Sequence, residues 1–177
     1  MKWMALLLLQ VLYTVGVFGQ DVWHKTTVSS DLTVALPGTV STKDIQKVMT
    51  VYIGLLDSNM YMVIHAPEKD QAGDLAELEK RYAAFIKGMA ESQLKAYTYV
   101  TSDTSVGGTR GKIVRFTAPS ALYNYQRIQY YITIAHNDYY GLVVYYRKPP
   151  SDKDSAPLQR FYGSATFRTP VPENSYK

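Results

Sequence analysis

Between residues 126 and 146 the chain alternates apolar side chains on both faces of a strand pair. In 126–136, Ile128, Tyr130, Ile132 and Ile134 fall on one side of an extended strand, with Tyr131 and Thr133 on the other. In 139–146, Val143 and Tyr145 join the first set, and Leu142, Val144 and Tyr146 join the second. Asn137-Asp138 supplies turn chemistry between them. A two-residue turn there sets Tyr130 opposite Tyr145 and Tyr131 opposite Val144. Neither face is polar, so a sheet built on this hairpin has to be covered on both sides.

The rest of the chain provides the covering layers and more sheet. Leu32, Val34 and Leu36 share a strand face that ends at Pro37-Gly38. Residues 48–56 and 60–65 predict a hairpin around Asp57-Ser58-Asn59, whereas 41–46 favours no one state. Asp74 can cap a helix with Glu77 in capping-box position. Leu75, Leu78, Tyr82, Phe85, Ile86 and Met89 then line one helical face. Strands resume over 96–101 and 112–117 with a turn at Gly107-Gly108. A closing helix begins near Ser155, with Pro157 in its first turn and Leu158, Phe161, Tyr162 and Ala165 facing inward.

The N-terminus predicts an address. Lys2 precedes an apolar run from Met4 to Phe18, and small residues lead to a cut before Gln20. That is secretory signal-peptide order, too short for the ~20 residues of a membrane span. The expected organisation is a leader at 1–19, one domain over 20–168, and a flexible tail at 169–177. No stable membrane span survives removal of the leader, and the product is periplasmic or extracellular. Cysteine is absent, so disulfides, thiol catalysis and thiolate-bound metals are excluded. The formal charge is +4, and losing Lys2 lowers it to +3. Basic residues are scattered rather than massed, which argues against nucleic-acid binding.

Several short patterns are similar to those of the PsbP-like superfamily, which includes photosystem II extrinsic subunits and Ran-binding Mog proteins. They are Trp23 before a strand ending Leu36-Pro37-Gly38, Tyr61-Met62-Val63 before the long helix, Gly107-Gly108 with Arg110-Gly111, and Arg160-Phe161 with Ser164 and Phe167. The resemblance implies an α+β fold, a three-layer α/β/α sandwich around an antiparallel sheet. Its members do unrelated work, so it implies no single function. A leader peptide is incompatible with a nuclear Ran-binding role.

Candidate chemistry is sparse. Gly107 to Lys112 lacks the glycine, hydroxyl and following helix of a phosphate loop. His24, His65 and His136 have no metal-ligand spacing, although His65 and His136 both lie near strand ends. Asp152, Asp154 and Ser155 lack the glycine and distal glutamate of a calcium loop and suit helix capping. Ser164 has neither a nucleophile elbow nor a base. No catalytic residue, metal ligand or cofactor is expected.

Tyrosine is the feature above background. The chain has 16, and ten fall between Tyr97 and Tyr146. Packing beneath the helices accounts for most of them, while Tyr123, Tyr125 and Tyr140, in or beside loops, are the expected exposed members of an interaction surface. The sequence therefore predicts an exported, non-enzymatic adaptor that binds a protein partner, in an oligomeric state it leaves open. A small-molecule or glycan carrier with a pocket between sheet and helix is the first alternative. A hydrolase assembled from distant residues is the second.

Overall fold

The computed structural model describes residues 22–67, 75–91, 94–136 and 138–168. The predicted leader, the Asp74 cap, Asn137 and the predicted tail lie outside the described residues, as does the side chain of Leu75. Seven strands make one antiparallel sheet: β3 (Ser41–Ile45), β4 (Met49–Leu56), β5 (Asn59–Pro67), β6 (Thr98–Val106), β7 (Thr109–Thr117), β8 (Arg127–Ala135) and β9 (Asp138–Tyr146). Their spatial order is β3-β4-β5-β9-β8-β7-β6. The ambiguous 41–46 segment is thus an edge strand. Four polar residues ahead of Ile45 gave no apolar alternation by which to recognise it.

Tight turns with left-handed backbone join neighbouring strands. Asp57 and Ser58 have φ of 49° and 66°, and Gly107 and Gly108 have 55° and 78°. Two successive positive φ values match the right-handed twist of the flanking strands. Asn59 therefore belongs to β5, paired with Leu56, rather than to a three-residue loop. Gly107 is required twice over, because a Cβ there would also collide with the backbone carbonyl of Ala165.

The β8–β9 hairpin keeps its expected faces and changes its register. Ala135 pairs with Asp138, which puts Tyr130 opposite Val143 and Tyr131 opposite Leu142. His136, at φ 50°, lies in the turn, and Asp138 belongs to β9 rather than to the turn. The shift amounts to two residues, so every side chain stays on its expected side of the pleat.

One face of the sheet lies under α1 (Leu75–Glu91). Tyr82 and Ile86 are buried there, with Leu78, Phe85 and Met89 packed beside them over Met62, Ile64, Val114, Ile128, Ile132 and Val143. The other face carries Tyr61, Val63, Tyr131, Leu142, Val144 and Tyr146. Its cover is mixed. α2 (Ser155–Gly163) supplies Phe161, and a small sheet of β1 (Trp23–Thr27), β2 (Leu32–Pro37) and β10 (Thr166–Phe167) supplies Leu32, Val34, Leu36 and Phe167. The expected sandwich holds, with its second outer layer built from a helix and three strands, ordered β1-β2-β10.

Ser164 fastens that outer layer. Its Oγ accepts from the Ala35 amide at 2.8 Å and donates to the Phe161 carbonyl at 2.8 Å, joining the end of α2 to β2. Before α2, the amide and hydroxyl of Ser151 both bond the Asp154 carboxylate, at 2.7 and 2.9 Å. Asp154 also receives Asn59 Nδ2 at 3.0 Å. These contacts give Asp154 a capping role.

Candidate functional site

The loop between β7 and β8 presents the most exposed large apolar side chain among the described residues. Leu122 is 94% exposed. An isolated exposed leucine is unremarkable, but this one sits on a loop braced from several directions. The Ala118 amide bonds the Gln126 carbonyl at 2.9 Å, and the Gln126 amide bonds the Tyr146 carbonyl at 2.8 Å. Gln126 Nε2 crosses the loop to the carbonyls of Tyr123 at 2.8 Å and Ser120 at 3.3 Å. The Tyr97 hydroxyl donates to the Tyr125 carbonyl at 2.8 Å.

Aromatic rings complete the brace. Tyr97 meets Tyr123 edge-on at 5.2 Å, and Tyr125 meets Tyr145 edge-on at 5.1 Å. Tyr145 continues inward to Tyr130, their hydroxyls 3.3 Å apart. Burial raises the Tyr97 phenol above its ordinary value, with Tyr123 and Tyr125 adding to the effect. Burial also raises that of Tyr125, partly offset by Arg147. Both hydroxyls therefore stay neutral at physiological pH, and that of Tyr97 keeps the hydrogen it donates. Tyr99, 45% exposed, lies two residues beyond Tyr97 on β6, its ring against Phe116 at 5.5 Å.

Of the three tyrosines expected at a surface, the structure brings together two. Tyr123 is half-buried on the loop, and Tyr125 turns its ring inward onto Tyr145. Tyr140 is a correction: it is fully buried, near the opposite end of β9 and on the other face of the sheet. Of the adjacent pair Tyr139-Tyr140, both members point into covered faces, so neither is left for solvent. Leu122, Tyr97 and Tyr99 were missed. A large apolar residue inside the Pro119–Tyr125 loop was the available signal for Leu122.

Tyr140 belongs instead to a polar clasp. His65 Nε2 lies 2.6 Å from Asp138 Oδ2, and the His65 and Tyr140 rings stack at 5.1 Å. Ser29 Oγ accepts the amides of Asp31 and Leu32 at 3.1 and 3.2 Å. With both lone pairs engaged, its hydrogen goes to the Tyr140 hydroxyl at 2.9 Å, and Tyr140 donates to Asp138 at 3.4 Å. His136 Nδ1 stands 3.8 Å from Asp31 Oδ1 beside it. The two histidines at strand ends each face a carboxylate of their own. Ser29 has no free lone pair and no bond to histidine, so the arrangement does not activate it as a nucleophile. It ties the β1–β2 loop to the ends of β5 and β9. Among the described residues no three His, Asp or Glu side chains gather as a metal site requires.

An antiparallel sheet between a long helix and a second layer that closes with a short helix is the PsbP-like fold. The chain is similar to the solution structure of cyanobacterial PsbP (CyanoP) from Synechocystis sp. PCC 6803. The TM-score is 0.61 over 89% of this chain and 99% of that one, at 10% sequence identity. At that identity the likeness is one of fold. No family model matches the chain, and no curated protein matches it in sequence. No helix among the described residues is long and apolar enough to cross a membrane.

Proposed function

We propose that this chain is an exported, non-enzymatic PsbP-like domain that binds another protein through Leu122 and the tyrosines around it. The supporting observation is the combination of near-complete exposure at Leu122 with a loop held by five hydrogen bonds and two ring contacts. A rigid loop loses little entropy on binding, so apolar area offered there converts efficiently into affinity. Tyr123 on the loop, Tyr97 packed against it and Tyr99 on β6 add ring area and hydroxyls, the chemistry enriched at protein interfaces. The leader-like N-terminus supports the exported setting.

Both faces of the sheet argue for a surface over an internal pocket. Tyr82 and Ile86 fill the space under α1, and Phe161, Tyr131 and Tyr146 fill the space under α2. Substituting Leu122→Asp places a charge where the partner's apolar surface would lie. The expected result is at least a tenfold loss of affinity for the protein that co-purifies with wild type, at an unchanged melting temperature. Unchanged affinity would remove Leu122 from the interface.

A further inference from the structure

The two edges of the seven-stranded sheet are treated differently. β3 is short and carries Lys43 and Asp44, which is how natural sheets discourage pairing with other chains. β6 is nine residues long, and Thr98 to Asp103 and Ser105 are all exposed. It has no proline, no lysine and no glycine, and it is rich in threonine, valine and tyrosine, which favour strands. Its outer row of amides and carbonyls is a ready template for another strand.

The only charge on β6 is Asp103, and its charge is already matched. Lys112 Nζ lies 2.7 Å from Asp103 and 2.7 Å from Glu79 of α1. The hydrogen bond from Lys112 holds the Asp103 carboxyl below the usual range. A two-fold antiparallel pairing centred on Ser102 overlaps the full length of the strand. Thr98 then faces Val106 of the second copy, Tyr99 faces Ser105, Val100 faces Thr104, and Thr101 faces Asp103. No charge meets its like. Moving the centre by one residue would set Asp103 against Asp103. α1 reaches sideways as far as Lys112 on β7 and leaves β6 uncovered, so the two long helices flank the junction.

We infer that β6 pairs edge to edge with β6 of a second copy of this chain, antiparallel about Ser102, joining two seven-stranded sheets into one. The pairing covers the exposed flanks of Tyr99 and Val100, which are 45% and 63% exposed in the single chain. It also sets the two Leu122 loops at opposite ends of the junction, separated along the strands by ~27 Å for eight residues at ~3.4 Å each. Two-fold related loops would engage a repeated or dimeric partner with avidity. The pairing itself does not depend on the function proposed for Leu122.

Sedimentation of the protein recovered from expression of the full chain tests this. Wild type should show a reversible monomer–dimer equilibrium that rises with concentration. Ser102→Lys places like charges face to face and should be monomeric, and so should Ser102→Asp. An equimolar mixture of the two should dimerise again, because lysine now faces aspartate. Ser102 is exposed, so both variants should melt with wild type, which circular dichroism checks. A wild-type monomer at every concentration overturns the pairing and leaves the edge to a strand of another protein. A dimer that persists in Ser102→Lys overturns it as well, since another surface would be holding the copies together.

Discussion

The Tyr97 hydroxyl donates to the Tyr125 carbonyl at 2.8 Å, linking the approach to β6 with the loop that carries Leu122. This bond spans two segments separated by the whole β6–β7 hairpin, and it adds to the hold that Gln126 has on the loop. Tyr97→Phe keeps the ring against Tyr123 and removes only the bond. We expect a stability loss of about 1 kcal/mol with greater proteolytic sensitivity confined to residues 118–126. Limited proteolysis with mass mapping checks it; an unchanged digestion pattern would show that the loop is held without Tyr97.

The His65–Asp138 contact predicts a second effect, on the attachment of the small sheet. Asp138→Ala leaves His65 and Tyr140 without their acceptor, in a region that water reaches poorly. The expected cost is about 1–3 kcal/mol in denaturant unfolding. Ser29→Ala frees two backbone amides and should cost about 1 kcal/mol. Unchanged midpoints for both variants would mean that the clasp does not hold the β1–β2 loop.

Two buried tyrosines should respond oppositely to loss of the hydroxyl. Tyr131 donates to the Thr109 carbonyl at 2.6 Å, so Tyr131→Phe should destabilise by about 1–2 kcal/mol. The Tyr139 hydroxyl is buried with no protein partner among the described residues. Removing an unsatisfied polar group removes a desolvation cost, so Tyr139→Phe should be neutral or stabilising by up to about 1 kcal/mol. Equilibrium unfolding of the pair distinguishes them, and equal losses would contradict the assignment.

Alkali should unfold the protein through its tyrosines. Burial pushes Tyr131, Tyr140 and Tyr146 up to about 12 from the ordinary 10.0, and raises Tyr139 and Tyr145 further. A folded-state value above the unfolded one favours the neutral phenol in the fold. That contribution is fully present below pH 10 and is lost as pH rises from 10 toward 12. Phenolate absorbance should therefore show an exposed class near the ordinary value and a buried class appearing only as circular dichroism collapses. All 16 tyrosines titrating on one curve with the fold intact would contradict it.

Much of the sheet was legible because its signal is local. The alternation in β8 and β9 identified both faces, and a two-residue change of register left that assignment untouched. The turn itself was misplaced because His136 adopts a left-handed conformation that Asn and Asp would be expected to take. The small sheet was hidden for a different reason: β10 is two residues long and pairs with β2 from the far end of the chain. The proposed interaction surface was half legible. Tyr123 stood out as an aromatic in a loop, but Tyr140 has the same local appearance and is covered by Ser29 and Phe167, which only the tertiary fold brings to it.

Photo-crosslinking from position 122 in the producing cell tests the central claim most directly. A photoreactive side chain replaces Leu122 in one strain and exposed Glu91, at the end of α1, in a control strain. The account predicts one discrete protein adduct from position 122, absent from position 91. The adduct should weaken when Tyr123→Ala is added. No adduct from position 122, or the same adducts from both positions, would contradict a binding surface at this loop.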